Sequence, residues 1–197
     1  MSHPLSDDAL DQLFREARTH RHWIDRPVSD ATLLALLELM KLGPTSANCS
    51  PARIVFVVSE GAKERLRPHL SPGNVRQTMA APATAVLGYD LRFYEHMPRL
   101  YPENPEARSW FEGEPAAVEE HALRNASLQG GYFIMAARAL GLDCGPMGGF
   151  DKAGVGQAFF PEGRVKANFL CNLGYGDPTK LRPRGPRFDA RDIARIV

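Results

Sequence analysis

Leu10, Leu13, Phe14 and Ala17 recur at i, i+3, i+4 and i+7, the spacing that gathers one face of a helix. Ser6 can cap this helix. The pattern predicts an inward-packed face and a C-terminal end carrying Arg15, Arg18, His20, Arg21 and His22. Val28-Ser29-Asp30 opens a second helix, with Ser29 as cap and Val28 placed to staple onto Leu33. Leu33, Leu34, Leu36, Leu37 and Met40 make that helix largely buried. The longest helical pattern runs from Ala116 to Leu140 and stops at Gly141. Within it Ala122, Ala126 and Gly130, beside Ser127 and Gly131, form a stripe of small residues. Glycine inside a helix costs roughly 1 kcal/mol relative to alanine, so the stripe calls for a packing reason such as close helix contact across a dimer.

Unbroken apolar runs mark the strands. Ile54 to Val58 reads as a central strand, Ala83 to Tyr89 as a second buried strand and Val165 to Leu173 as a third. Glu60 to Leu66 is a charged surface helix broken by Pro68, and Ser71-Pro72-Gly73 turns into Asn74 to Met79. Between Asp90 and Pro115 the pattern is lost to prolines and charges, yet Phe93, Tyr94, Tyr101, Trp110 and Phe111 fall there. A long irregular segment rich in aromatics argues against disorder and for a lid.

At 197 residues, 44% hydrophobic and 24% charged, the chain suits one domain, residues 1–197, with a substantial core. A net charge of +1 leaves no overall field for nucleic acid or an anionic membrane. No run approaches a membrane span, and Met1 to Leu10 lacks the design of a signal peptide, which together point to a cytoplasmic protein. Cys49, Cys144 and Cys171 are odd in number and far apart, so they read as small buried thiols, not as a disulfide framework or a zinc site. No metal-ligating cluster is expected.

Candidate chemistry is concentrated in four places. The link Gly43 to Arg53 joins two very apolar segments but offers Thr45, Ser46, Asn48 and Ser50. It either satisfies its own backbone, as loops do, or lines something polar. The cluster Arg15 to His22 either complements a helix dipole or binds an anion. Cys144-Gly145-Pro146-Met147-Gly148-Gly149-Phe150 is a glycine-rich loop that would let backbone amides approach a ligand, ahead of a short helix that Asp151 can cap. The tail from Asp177 carries Lys180, Arg182, Arg184 and Arg187. Gly154-Val155-Gly156 is no dinucleotide fingerprint, since it follows no strand and lacks the third glycine. A phosphorylated ligand or polynucleotide stacked on the aromatics, and a thiol enzyme using Cys49 or Cys144, stand as competing readings. Near-neutral charge weighs against the polynucleotide, and no histidine is placed by sequence to activate a thiol.

Taken together these segments resemble the FMN-dependent nitroreductase family over nearly the whole chain. Gly43-Pro44-Thr45-Ser46-Ala47-Asn48-Cys49-Ser50-Pro51 is similar to the family's P-S-S-x-N-x-Q-P loop, with Thr45 for the first serine and Ser50 for the glutamine. The R-R-S-x-R phosphate motif falls on Ala17 to Arg21, N-x-x-K on Asn74 and Gln77, P-x-E-G-F on Pro146 to Phe150, and K-x-R on Arg182 and Arg184, with Lys180 an alternative for its first position. Within the family the likeness is nearest to malonic semialdehyde reductases of pyrimidine degradation. It is carried by Arg18-Thr19-His20, the Gly43 to Phe56 stretch, Ala107 to Phe111 and Gly145-Pro146-Met147.

The resemblance implies an α+β nitroreductase-like fold, a mainly antiparallel central sheet flanked by helices, and a domain-interlocked homodimer. It implies FMN as cofactor and NADH or NADPH as hydride donor. The flavin phosphate would lie on Arg18, Thr19, His20, Arg182 and Arg184, with Arg21 a further candidate, and the ring's polar edge on Asn74 and Gln77. Backbone of Pro146, Met147, Gly148 and Gly149 would lie near N5. Pro44, Thr45, Ser46 and Asn48 would reach the other subunit's flavin. No side chain is implied as nucleophile. The reaction implied is ping-pong reduction of malonic semialdehyde to 3-hydroxypropionate, with Arg92 or Arg108 for the substrate carboxylate; the alternative is a broad nitro or quinone reductase.

Overall fold

The computed structural model describes residues 3–197; Met1 and Ser2, part of the segment read for a signal peptide, lie outside them. Helix α1 (Asp7–Leu10) is capped by Ser6, whose Oγ accepts from Ala9 N at 3.3 Å, and continues as a π turn over Asp11–Arg15. It ends there, earlier than the periodicity predicts, and Phe14 stays 55% exposed. The chain then runs extended: Thr19 bridges Cys144, and Trp23 bridges Gly176. Arg18 to His22 are thereby off the helix, because the backbone groups of this segment are satisfied by the sheet region instead.

Helix α2 (Asp30–Met40) starts at Ser29, which accepts from Thr32 N at 3.1 Å. Strand β1 (Ala52–Val57), α3 (Glu60–Leu66), α4 (Pro72–Ala80) and β2 (Ala83–Asp90) follow. After a short α5 (Met97–Leu100) come the long α6 (Pro115–Ala139), β3 (Asp143–Met147), α7 (Lys152–Phe159) capped by Asp151, β4 (Val165–Gly174) and α8 (Ala190–Ile193). The sheet order is β1-β2-β4-β3, antiparallel throughout. This is the α+β architecture that the resemblance implies, an antiparallel sheet between layers of helices. Among the described residues no helix is long and apolar enough to cross a membrane.

One face of the sheet packs Ala85, Leu87, Cys171 and Leu173 against Leu33, Leu36, Met40, Phe133 and Ala137 of α2 and α6. The opposite face packs Val57, Val86, Ala167 and Leu170 against Leu66, Val155 and Phe159 of α3 and α7. Residues of β2 alternate between these two clusters, as a pleated strand requires. The Asp90 to Pro115 segment is ordered by its own core, in which Phe93, Met97, Ala107 and Phe111 pack on Val118, Ala122 and Ala126.

Three further expectations are corrected. The Ile54 to Val58 run is not central: β1 forms a sheet edge, with Ile54, Val55 and Phe56 only half-buried. The glycine-rich loop from Cys144 is a strand as far as Met147, and Pro146 is tolerated because β3 is the other edge and needs no outward donor there. The small-residue stripe divides: Ala122 and Ala126 pack on the core of the Asp90 to Pro115 segment, Ser127 and Gly131 are exposed, and Gly130 faces the sheet. A Cβ on Gly130 would sit 2.6 Å from Phe169 Cε1, so the glycine admits an aromatic ring of β4 and not a second helix. The large apolar residues that α6 leaves exposed are Leu123, Leu128 and Tyr132.

Candidate functional site

The extended segment after α1, helix α4, the last turn of α6 and the tail after β4 enclose a cavity of about 530 Å³. Backbone bonds place the first of these beside the sheet: His20 N donates to Cys144 O at 3.0 Å, Ile24 N to Tyr175 O at 2.8 Å, and Asp177 N to His22 O at 3.0 Å. Guanidinium groups then fasten the tail over it. Arg18 donates to the Arg182 carbonyl, and Arg184 donates to the carbonyls of Arg15 and, at 3.3 Å, Ala17. Each guanidinium has five N–H donors, so both keep donors for a ligand.

The wall is strongly cationic. Arg18, Arg21, Arg76, Arg138, Arg182, Arg184, Arg187 and Lys180 line it, against the single carboxylate of Asp177. Asp177 is already engaged by Lys180 at 3.2 Å and by the Thr179 hydroxyl at 2.6 Å. Those hydrogen bonds, Thr179 first, hold its pKa below the usual carboxylate range. Like charges lining one cavity repel one another and favour a bound anion.

Beside the cations lies an amide chain. Gln77, buried, donates from Nε2 to Asn74 Oδ1 at 2.6 Å, and Asn74 Nδ2 donates to Gly149 O at 2.8 Å. This couples α4 to the loop after β3. A Cβ on Gly149 would lie 2.6 Å from Asn74 Nδ2, whereas one on Gly148 would meet nothing within 4 Å. Met147 is steadied from beneath by Thr78, whose hydroxyl reaches its sulfur at 3.5 Å.

The structure therefore gathers Arg18, Thr19, His20, Gln77, Arg182 and Arg184 around one cavity and links Asn74 and Gly149 to it, with Pro146, Met147 and Gly148 on the same strand and turn. His20 lines the wall, but its ring is buried, with Nε2 3.3 Å from Asp143 Oδ1. Pro44, Thr45, Ser46 and Asn48 are elsewhere. Ser46 N donates to Asn125 Oδ1 at 2.8 Å and Asn48 Nδ2 to Leu100 O at 2.8 Å. Asn125 and Arg138 are separated along α6 by about 20 Å at 1.5 Å per residue. The link holds Ala47, Asn48 and Ser50 at φ of 45°, 54° and 41°, a left-handed conformation costly for side-chain-bearing residues. Arg92 and Arg108 of the lid-like segment pair with Glu95 and Glu112.

Arg76 and Arg138 are cavity residues that sequence reasoning missed. Arg76 lies between Asn74 and Gln77, and that adjacency was a usable signal; Arg138 is brought in by the length of α6, which no local motif reports. All three cysteines are buried, and burial pushes the Cys49 thiol up to about 11. It is protonated at neutral pH, which removes the thiol-enzyme reading for that residue.

At the far end of β2, a second cavity of about 450 Å³ borders Asp90. That carboxylate is 1% exposed and accepts from Arg53 at 2.7 Å, from Arg164 at 2.7 and 3.0 Å, and from Arg92 N at 2.9 Å. It ties β1 and the approach to β4 to the start of the lid-like segment.

Comparison with known proteins adds to this geometry. A model of the nitroreductase family matches residues 14–175. A protein of Burkholderia lata, provisionally named NADH dehydrogenase/NAD(P)H nitroreductase, is 62% identical over 192 residues, covering 98% of each chain. One of Polynucleobacter asymbioticus with the same provisional name is 54% identical over the full length of both. Among solved structures, a provisionally named nitroreductase of Bacillus subtilis superposes with a TM-score of 0.89 at 22% identity, over 98% of this chain and 100% of that one. A similarly named protein of Exiguobacterium sibiricum in complex with FMN gives 0.85 at 21%, over all of both chains.

Proposed function

This chain belongs to the nitroreductase family, and from that premise we propose that it is an FMN-dependent NAD(P)H oxidoreductase. The observation that carries the reading is the single cavity in which a cationic wall adjoins the Gln77, Asn74 and Gly149 chain. A volume of about 530 Å³ falls in the range of cofactor sites, about 300–1,000 Å³. A phosphate monoester of about two negative charges suits the Arg18, Arg182 and Arg184 forks with the Thr19 hydroxyl. Asn74 and Gln77 present amide groups that donate and accept at the polar edge of a heterocycle, and the Gly148-Gly149 backbone leaves a flat approach beside Pro146 and Met147. His20 supports this wall through Asp143. When bound, FMN supplies the hydride chemistry. The residues bind it, orient it and exclude water. One cavity serves donor and acceptor in turn, so parallel double-reciprocal lines are expected; intersecting lines would require a ternary complex.

We carry the finer substrate, malonic semialdehyde reduced to 3-hydroxypropionate, on the motif resemblance. The alternative is a broad nitro or quinone reductase, and the relatives' names, which include NAD(P)H nitroreductase, support its nitro-reducing part. Arg92 and Arg108 would have to exchange Glu95 or Glu112 for the substrate carboxylate. The semialdehyde should turn over at least about tenfold faster than nitroaromatics, equivalent to about 1.4 kcal/mol of transition-state preference; a smaller ratio leaves the general reductase.

We also propose a homodimer. Leu34, Leu39 and Leu42 beside Leu128 and Tyr132 expose more apolar surface than one chain needs, β1 leaves a sheet edge unpaired, and Phe188, Ile193, Ile196 and Val197 are exposed on the tail. The Pro44 to Asn48 link, outside its own cavity, would then complete the partner's.

A further inference from the structure

The carbonyls at the end of the first helix are capped by arginines from two distant elements. Arg184 of the tail donates to Arg15 O and, at 3.3 Å, to Ala17 O. Arg138, in the last turn of α6, donates from Nη1 to Leu13 O at 2.8 Å. Carbonyls where a helix stops lack amide partners of their own, so cationic donors suit them. The join to α6 is reciprocal, because Gln12 Nε2 donates to Arg138 O at 2.7 Å. Arg138 is thereby held half-buried in the cavity wall, with most of its donors unspent. Nε is buried and meets no acceptor, and among the described residues Nη2 has no acceptor and the group pairs with no carboxylate. Leu13 and Arg15 belong to one turn, so two guanidinium groups converge there without a shared anion.

We propose that Arg138 is a further phosphate-binding residue, its Nη2 donating to the flavin phosphate beside Arg184. This rests on the flavin reading above and adds to the two arginine motifs a ligand that only the end of α6 supplies. An under-satisfied guanidinium next to a second one is stabilised when an anionic acceptor arrives between them. A phosphate monoester presents three oxygens to such forks. The ties to Leu13 and Gln12 fix the group before the ligand binds, so little side-chain entropy is lost on binding.

The test is fluorescence titration of protein stripped of flavin with FMN and with riboflavin, which has the ring but no phosphate. Wild type should bind FMN more tightly than riboflavin, by a margin that shrinks as salt rises. In Arg138→Met, which keeps the reach of the side chain, FMN affinity should fall about tenfold or more while riboflavin affinity holds. Arg138→Lys, which keeps the charge without the fork, should lose part of the margin. Gln12→Ala loosens the same join to α6 without removing the guanidinium and should leave the margin intact. A margin unchanged in Arg138→Met or Arg138→Lys, equal weakening of both flavins, or a Gln12→Ala margin as small as that of Arg138→Met would overturn the assignment and leave a helix cap. If Arg138→Met does not fold, the lysine variant decides. If wild type binds neither flavin, the flavin reading fails on its own. Calorimetry with inorganic phosphate then decides: weaker binding by the Arg138 variants supports Arg138 as an anion ligand, and equal or absent binding in wild type and variants overturns it.

Discussion

Removing the Asp90 carboxylate should destabilise the protein severely. In the folded chain Asp90 stands between Arg53 and Arg164, 1% exposed, with Arg92 N as a further donor. Asp90→Ala leaves two guanidinium groups facing each other without their shared anion. Breaking a buried ion pair costs about 3–5 kcal/mol. Arg53 and Arg164 keep 33% and 29% of their side-chain surface, so water recovers part of the loss and about 3 kcal/mol is the working figure. In a domain of this size 1 kcal/mol moves Tm by roughly 2–4 °C, giving a fall of about 6–12 °C at pH 7 by calorimetry or circular dichroism. The pH dependence adds a signature. Burial alone would raise this carboxyl, but the Arg164 hydrogen bonds, with Arg92 N and the Arg53 charge, more than offset it and lower the pKa. A depressed pKa stabilises above the unfolded value near 3.9, and the contribution is lost as pH falls through the lower folded value. Wild type and variant should therefore converge in strongly acidic solution. A fall of less than about 2 °C at pH 7, or one that does not narrow in acid, would refute the reasoning.

Arg184→Ala should weaken FMN by about 1.5–3 kcal/mol, the scale of a charge-assisted hydrogen bond, and also loosen the tail from Arg15 and Ala17; flavin retention through extensive dialysis at the wild-type level would contradict its place in the site. Gly176→Ala should be strongly destabilising, since its Cβ would lie 1.8 Å from His20 Nδ1; an unchanged Tm would mean that the His20 ring is not held there. Leu128→Glu with Tyr132→Glu should convert a dimer to monomer in light scattering if the exposed face of α6 is the interface, and a dimer that survives both changes would move the interface elsewhere.

The parts of the fold legible in the sequence were those with local causes. Ser29 and Asp151 cap their helices because a side-chain oxygen reaches an amide within its own first turn, and β2 announces itself by continuous burial. Partners distant in sequence decided the rest. The run at Ile54 is as apolar as a central strand, but its place at the edge follows from β4 pairing with β2 and β3, which no window around residue 54 contains. Gly130 reads as a helix contact in sequence because the Phe169 ring that fills its place lies 39 positions later. At the site, Arg18, Gln77, Arg182 and Arg184 were legible as motifs. Arg76 was passed over although it adjoins Gln77, and Arg138 reaches the cavity only through the length of α6.

Everything proposed for this cavity rests on its holding a flavin which NAD(P)H reduces. The visible absorbance of the purified protein, reconstituted with FMN if colourless, tests it directly when followed anaerobically during addition of NADH or NADPH. One FMN per chain, resisting dialysis and bleaching on addition of the nicotinamide, is the predicted result. A protein that neither carries nor takes up FMN, or whose bound flavin stays oxidised with both donors, would contradict it.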